Sequence, residues 1–164
     1  MAKRSETFDG FDSAVTITRP ANTTPYSAGD VVGNATTAIL EFANIGPAGG
    51  YIVIKSADLR IDVAAIPTGM TTFRLHLYDV SPTAIIDNAA WDLPAADRAS
   101  YIGYIDHGTV LDLGSTLYVQ ASSINKQFKL ASGSTSLFGQ LVTNGGYTPG
   151  SADVAVIRLT VEAI

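Results

Sequence analysis

The chain has no cysteine, two histidines and a single tryptophan in 164 residues. Without cysteine there is no disulfide, no thiol nucleophile, no iron–sulfur cluster and no cysteine-ligated zinc. Stability must then come from burial, and a domain of this length removes about 70% of its unfolded surface from water. Charge is also scarce: 15% of residues are Asp, Glu, Lys or Arg, against about 25% in an average domain. So few charges imply a generous core or a surface partly hidden in an assembly, and assembly is the expectation here. The ten Lys and Arg are scattered, Lys3-Arg4 is the one adjacent pair, and the net charge is −5. No basic face is available for nucleic acid, which is expected not to be a partner. No stretch approaches the roughly 18 apolar residues of a membrane span. Glu6 and Asp9 precede any apolar run, so no secretory signal is expected and synthesis in a cytoplasm is.

What the sequence does have is about nine short β-patterns separated by Gly, Pro, Ser and Asn. Ala14 to Arg19 alternates and ends at Pro20. Ala38, Leu40 and Phe42 share one face of the next strand. Tyr51 to Val63 is a long extended run whose phase slips. Ile52 and Ile54 share one parity, while Ala57, Leu59, Ile61 and Val63 take the other, which predicts a bulge near Lys55-Ser56. Phe73, Leu75 and Leu77 form an inward row with Arg74, His76 and Tyr78 outward. Further strands are expected at Tyr101 to Asp106, Thr116 to Ser122, Gln127 to Ala131, Leu137 to Thr143 and Val154 to Ala163. The link Ser132 to Thr135 reads as a hairpin turn. One short helical turn is expected at Pro94 to Ala99. The expected fold is all-β: a two-sheet antiparallel sandwich over residues 13–164, preceded by a short arm, residues 1–12. Long crossovers at Ser81 to Ser100 and Asn144 to Asp153 favour jelly-roll wiring. The arm carries Phe8 and Phe11, which either dock on a neighbouring subunit or shell, or fold back on their own sandwich.

Catalytic chemistry has little to stand on. His76 lies in a strand and His107 in a turn, and no Gly-x-Ser-x-Gly elbow accompanies either. No enzyme activity, catalytic residue or cofactor is expected. Asp79, Asp87, Asn88, Asp92 and Asp97 flank the long crossover and offer loop oxygens for calcium, but without a recognised spacing. They serve equally as turn and cap residues, and no metal site is assigned. Tyr78, Trp91, Tyr101, Tyr104 and Tyr147 could build a sugar-binding platform or simply pack. Trp91 is expected to plug one end of the sandwich with its N–H bonded. Asn22-Thr23-Thr24 and Asn34-Ala35-Thr36 match the glycosylation pattern, which has no meaning without secretion.

Two stretches carry a family resemblance. One is Ile17-Thr18-Arg19-Pro20-Ala21-Asn22-Thr23-Thr24-Pro25-Tyr26-Ser27-Ala28-Gly29-Asp30-Val31-Val32-Gly33; the other runs from His76-Leu77-Tyr78 through Asp87-Asn88-Ala89-Ala90-Trp91 to Asp97-Arg98-Ala99-Ser100-Tyr101-Ile102-Gly103. With its strand order, the chain resembles small jelly-roll structural proteins of tailed bacteriophages, of the capsid decoration or cement type. The resemblance implies a virion component on the outside of the head, bound to the major capsid protein and to itself as a homotrimer. It supplies no catalytic residue. The alternative is a carbohydrate- or receptor-binding module of a phage tail or spike, which requires aromatics and Asp or Asn gathered on one exposed face.

Overall fold

The computed structural model describes residues 9–164. Eleven strands are formed: β1 (Gly10–Thr18), β2 (Val31–Val32), β3 (Leu40–Phe42), β4 (Tyr51–Ile61), β5 (Phe73–Tyr78), β6 (Tyr101–His107), β7 (Leu111–Asp112), β8 (Leu117–Ala121), β9 (Lys126–Lys129), β10 (Leu137–Thr143) and β11 (Val154–Ala163). A 3-10 turn at Ala95–Asp97 is the sole helical piece among the described residues. The first sheet has the order β1-β11-β4-β8-β7, with β9 also on β4; the second has the order β2-β10-β5-β6, with β3 also on β10. Every strand pair is antiparallel.

The pairs are nested. β1 pairs with β11, β2 and β3 with β10, β4 with β8 and β9, and β5 with β6. A long hairpin rolled over itself produces this nesting, which is jelly-roll connectivity. Alternating apolar residues from both sheets meet inside. Leu40, Phe42, Leu59, Ile61, Phe73, Leu75, Leu77, Val119, Ile157, Leu159 and Val161, the row expected from periodicity, are all buried in one cluster. Gly139 makes room for the side chains of the neighbouring strands of its own sheet: a Cβ there would lie 2.9 Å from Leu75 Cδ1 of β5 and 3.3 Å from Phe42 Cε2 of β3.

The phase slip in β4 is a bulge. Ser56 faces Thr160 and Ile54 faces Val161, so Lys55 has no backbone register partner in β11. Its carbonyl instead accepts from Ile124 N at 3.1 Å, which seats the β8–β9 link at the bend.

Four expectations change. Ser132 to Thr135 does not close a hairpin: β9 belongs to the first sheet and β10 to the second, so the link crosses between layers. Its phase was readable, its sheet was not. β1 begins at Gly10, so Gly10, Phe11 and Asp12, placed in the arm by the sequence, pair with β11. Phe11 shares the parity of Val15 and Ile17 and packs partly buried on the core; Phe8 lies outside the described residues. His76 faces outward from the sandwich yet is buried, and Trp91 lies over a sheet face rather than at an end. Both follow from the crossover after β5, which folds back over the second sheet. There Val31 N donates to Ala89 O at 2.9 Å, Ala38 N to Ile85 O at 3.2 Å and Trp91 N to Gly29 O at 2.9 Å. A second small core results, with Val31, Ala38 and Val142 beneath Ile85 and Trp91.

Leu75, fully buried at the centre of β5, sets the scale of the packing energy. Leu75→Ala is expected to destabilise the fold by about 2–5 kcal/mol, the range for a buried leucine truncation. Arg60→Ala, on the exposed face, is expected to stay within about 0.5 kcal/mol of the parent. Urea denaturation of the two variants checks the contrast.

Candidate functional site

Two constructions gather the polar and aromatic side chains of interest. The first is internal. Arg19 follows β1 and its guanidinium is buried with the carboxylate of Asp87 from the crossover, 3.1 Å apart, their side chains 3% and 5% exposed. Arg19 Nε donates to Tyr26 OH. Tyr26 OH donates to Asp87 Oδ1 at 2.5 Å, Gly33 N donates to the same oxygen at 3.0 Å, and Arg19 Nη1 donates to Gly150 O at 3.1 Å. Burial works against the Arg19 charge, but Tyr26 and Asp87 more than offset it and hold the guanidinium above its ordinary pKa. Burial, then the Asp87 carboxylate, pushes the Tyr26 phenol far up, so it stays a donor. Tyr147 packs at 5.1 Å between ring centroids on Tyr26. The void beside this network is about 20 Å³, room for one water and no ligand.

The second construction is on the outer face of the second sheet. In an unbroken strand Tyr101 and Tyr104 would point to opposite faces. A bulge turns them to the same side: Tyr104 faces His76, Gly103 faces Leu77, Tyr101 faces Tyr78, and Ile102 is the extra residue. Gly103 takes φ +110°, a backbone state that favours glycine. His76 then stacks under Trp91 with ring centroids 3.7 Å apart and planes 12° apart, and its Nδ1 lies 3.0 Å from Tyr101 OH. Trp91 Nε1 and Tyr78 OH both donate to Gln140 Oε1 at 3.1 Å, while Gln140 Nε2 donates to Thr83 O at 3.0 Å. At the rim Arg74 forks onto Asp106, Nε–Oδ1 2.6 Å and Nη2–Oδ2 3.1 Å, and stacks 4.0 Å from the Tyr104 ring centroid.

Of the five aromatics singled out from sequence, Trp91, Tyr101 and Tyr104 therefore share this face. Tyr78 lies beneath them, fully buried, and Tyr147 belongs to the internal network. The acidic residues of the crossover do not converge. Asp87 holds Arg19, Asp97 Oδ2 accepts from Thr83 N at 2.9 Å, and Asn88 Nδ2 donates to Thr24 O at 3.2 Å and Pro25 O at 3.0 Å. No group of three or more metal-ligating side chains forms among the described residues. Asn22 Oδ1 caps Thr24 N at 3.1 Å within its own turn, and Asn34 Oδ1 accepts from Thr18 N at 2.7 Å and ties its loop to the end of β1, so both sequon asparagines have structural hydrogen bonds. Among the described residues neither histidine bonds to a hydroxyl nucleophile of Ser or Thr: His76 meets Tyr101, and neither ring nitrogen of His107 has a partner there. Among the described residues no helix is long and apolar enough to cross a membrane.

No family model matches the chain, and no curated protein matches it. Among solved structures it is similar in fold to phage capsid chains. One is from the capsid of Ralstonia phage GP4, with 12% identity, TM-score 0.43 and coverage of 98% of this chain and 87% of that one. Another is from the cyanophage Pam1 capsid asymmetric unit, with 14% identity, TM-score 0.37 and coverage of 100% and 91%. A lipoprotein of Bacteroides thetaiotaomicron is similar as well, with 9% identity, TM-score 0.41 and coverage of 94% and 83%. Likeness at this level is that of the layered β-architecture and assigns no role.

Two tests follow from the site. Arg19→Met leaves the Asp87 carboxylate buried without its counter-charge and is expected to cost about 3–5 kcal/mol, the range for breaking a buried pair from one side. Arg19→Met with Asp87→Leu is expected to recover part of that loss, measured by the same denaturant titration. The second test concerns acid. Burial lowers the pKa of His76 and of His107 to about 4, with Arg74 adding to the shift at His76 and Asp58 opposing it at His107. Between about pH 6.5 and 4 the unfolded chain binds protons that the folded chain refuses, so folding stability falls as pH drops through that window. Melting temperature against pH is expected to decline there, and His76→Gln with His107→Leu is expected to flatten the decline.

Proposed function

We propose that the chain is a non-enzymatic virion structural protein, a capsid decoration (cement) protein that binds the outside of a phage head as a trimer and stiffens the shell. The observation that carries this reading is an asymmetry of the jelly roll. The second sheet is roofed by the crossover, whereas the outer face of the first has no covering segment among the described residues. That bare face presents short side chains, Ala14, Thr16 and Val156, and charges of both signs, Asp58, Arg60 and Arg158. An uncovered face of this kind, with a shallow depression of about 160 Å³ among Asp58, Arg60, Tyr118, Val156 and Arg158, suits docking on a large rigid neighbour. The two stretches that resemble phage structural proteins are also the two joined by the Arg19–Tyr26–Asp87 network. Closed cyclic symmetry is the ordinary solution for identical subunits, and the low charged fraction of 15% favours buried subunit contacts. Phe8 and the residues before β1 are proposed as a latch onto the neighbouring subunit or the shell.

Mixing the purified protein with undecorated heads tests the reading. Saturable co-sedimentation and a raised melting temperature of the heads are expected, with light scattering giving a trimer in solution. Arg158→Glu is expected to weaken attachment at least several-fold with the fold's own melting point unchanged. Deleting residues 2–8 is expected to keep the sandwich folded and weaken trimer formation or attachment. A protein that ignores heads and co-purifies only with tails overturns the decoration role.

A further inference from the structure

The free edge of the second sheet is β6, and beside it runs the β8–β9 link from the first sheet. Between them opens a cleft of about 430 Å³ lined by Tyr104, Asp106, Ser122, Asn125 and Lys126, with Ile105 and Ile124 among its apolar lining. Its edge is already closed to strand addition. Lys126 crosses Gly103, where a Cβ would sit 2.9 Å from Nζ, and donates to Tyr104 O at 3.0 Å. A lysine laid over an edge carbonyl is a common guard against pairing. An occupant of the cleft must therefore use side chains rather than a backbone ladder.

Those side chains combine two kinds of contact. Tyr104 is 44% exposed as a residue, and its ring is held in place by Arg74, stacked at 4.0 Å and itself forked to Asp106. Lys126 Nζ stands 5.6 Å from the same ring centroid. The cleft also holds the Asp106 carboxylate with lone pairs beyond its arginine bonds, the Asn125 amide with both donor and acceptor, the Ser122 hydroxyl and the Lys126 ammonium with donors to spare. Asn125 keeps its place through a left-handed backbone, φ +48°, as does Ser123 at φ +57°. A pyranose ring matches this pairing: its C–H face packs on an aromatic ring while its hydroxyls radiate to donors and acceptors. A strongly apolar ligand would strand these polar groups, and an anionic one would face Asp106. We propose that this cleft binds a neutral pyranoside, stacked on Tyr104 and hydrogen-bonded by Asp106, Asn125 and Lys126. This is a ligand-binding role separate from attachment to the shell, and it uses the roofed sheet's edge rather than the bare face.

The full chain is titrated with maltotriose, chitotriose and galactobiose up to about 10 mM, tenfold above the ~1 mM Kd expected of a single-stack site, and followed by NMR. At least one sugar is expected to shift the Tyr104 ring and the 122–126 amides saturably. Tyr104→Ala is expected to weaken that binding about three- to tenfold, the size of one lost aromatic contact. Asn125→Gly, which keeps the positive φ while removing the amide, is expected to weaken it with the melting temperature retained. Both variants are expected to co-sediment with heads as the parent does, which keeps this test separate from the decoration role. No saturable shift with any of the three sugars, or binding unchanged in Tyr104→Ala, overturns the proposal.

Discussion

The buried pair between Arg19 and Asp87 is the fastening on which the rest of the chain's wiring depends. A jelly roll needs long connections that pass from sheet to sheet, and such connections have no ladder of their own to fix them. Three connections meet at this guanidinium and carboxylate. Arg19 and Tyr26 both lie in the link from β1 to β2, Asp87 lies on the crossover after β5, and Gly150 belongs to the link before β11. Desolvating two charges costs several kcal/mol per ion, so the pair is not a large net source of stability. What it supplies is discrimination. Any alternative path for one of these links would leave a charge or a phenol buried without its partner, a penalty of several kcal/mol against a total stability of only about 5–15 kcal/mol.

The two sheets solve burial differently, and the difference explains their sequences. The first sheet buries one face, so β11 reads as a clean alternation of Ala155, Ile157, Leu159 and Val161 with Val156, Arg158 and Thr160. The second sheet buries both faces. Its outer row on β5 keeps a charge, Arg74, only at the rim, and continues under the crossover with rings that carry polar tips, His76 and Tyr78. Each tip needs a partner in a place with little water, and Gln140 and Tyr101 provide them. Gln140 is buried at 1% exposure and joins Tyr78, Trp91 and Thr83, which ties strand, crossover and sheet together at one amide.

Periodicity made the inward rows legible because a strand's own side chains report which way it faces its sheet. The slip between Ile54 and Ala57 was enough to place the β4 bulge at Lys55. The full extents of β10 and β11 were equally legible. What covers the outward face is not written in the strand itself, so His76 read as solvated although Trp91 lies on it. Nor is sheet membership local: β9 and β10 are adjacent in sequence and belong to different layers. The Arg19–Asp87 pair spans 68 positions, and each residue alone reads as an ordinary turn or strand-end charge. The glycine at 103 was the available sign of a second bulge, since a glycine within a strand pattern marks such bends.

That second bulge links folding to surface chemistry. By adding Ile102 to the β6 side of the pair, it brings Tyr101 and Tyr104 to the same face. Without a side chain on Gly103, Lys126 can pass over the strand and close the sheet edge. The lysine that prevents edge pairing also draws the β8–β9 link alongside β6, and the first bulge anchors that link through Lys55 O and Ile124 N. Two departures from regular strand geometry, one in each sheet, thus set the walls of the same cleft. Regular strands at these positions would leave Tyr101 turned inward, the edge open and the link unanchored. The irregularities that let the sandwich bend and terminate its sheets are therefore also what gives an otherwise chemically plain β-body a shaped and partly aromatic surface.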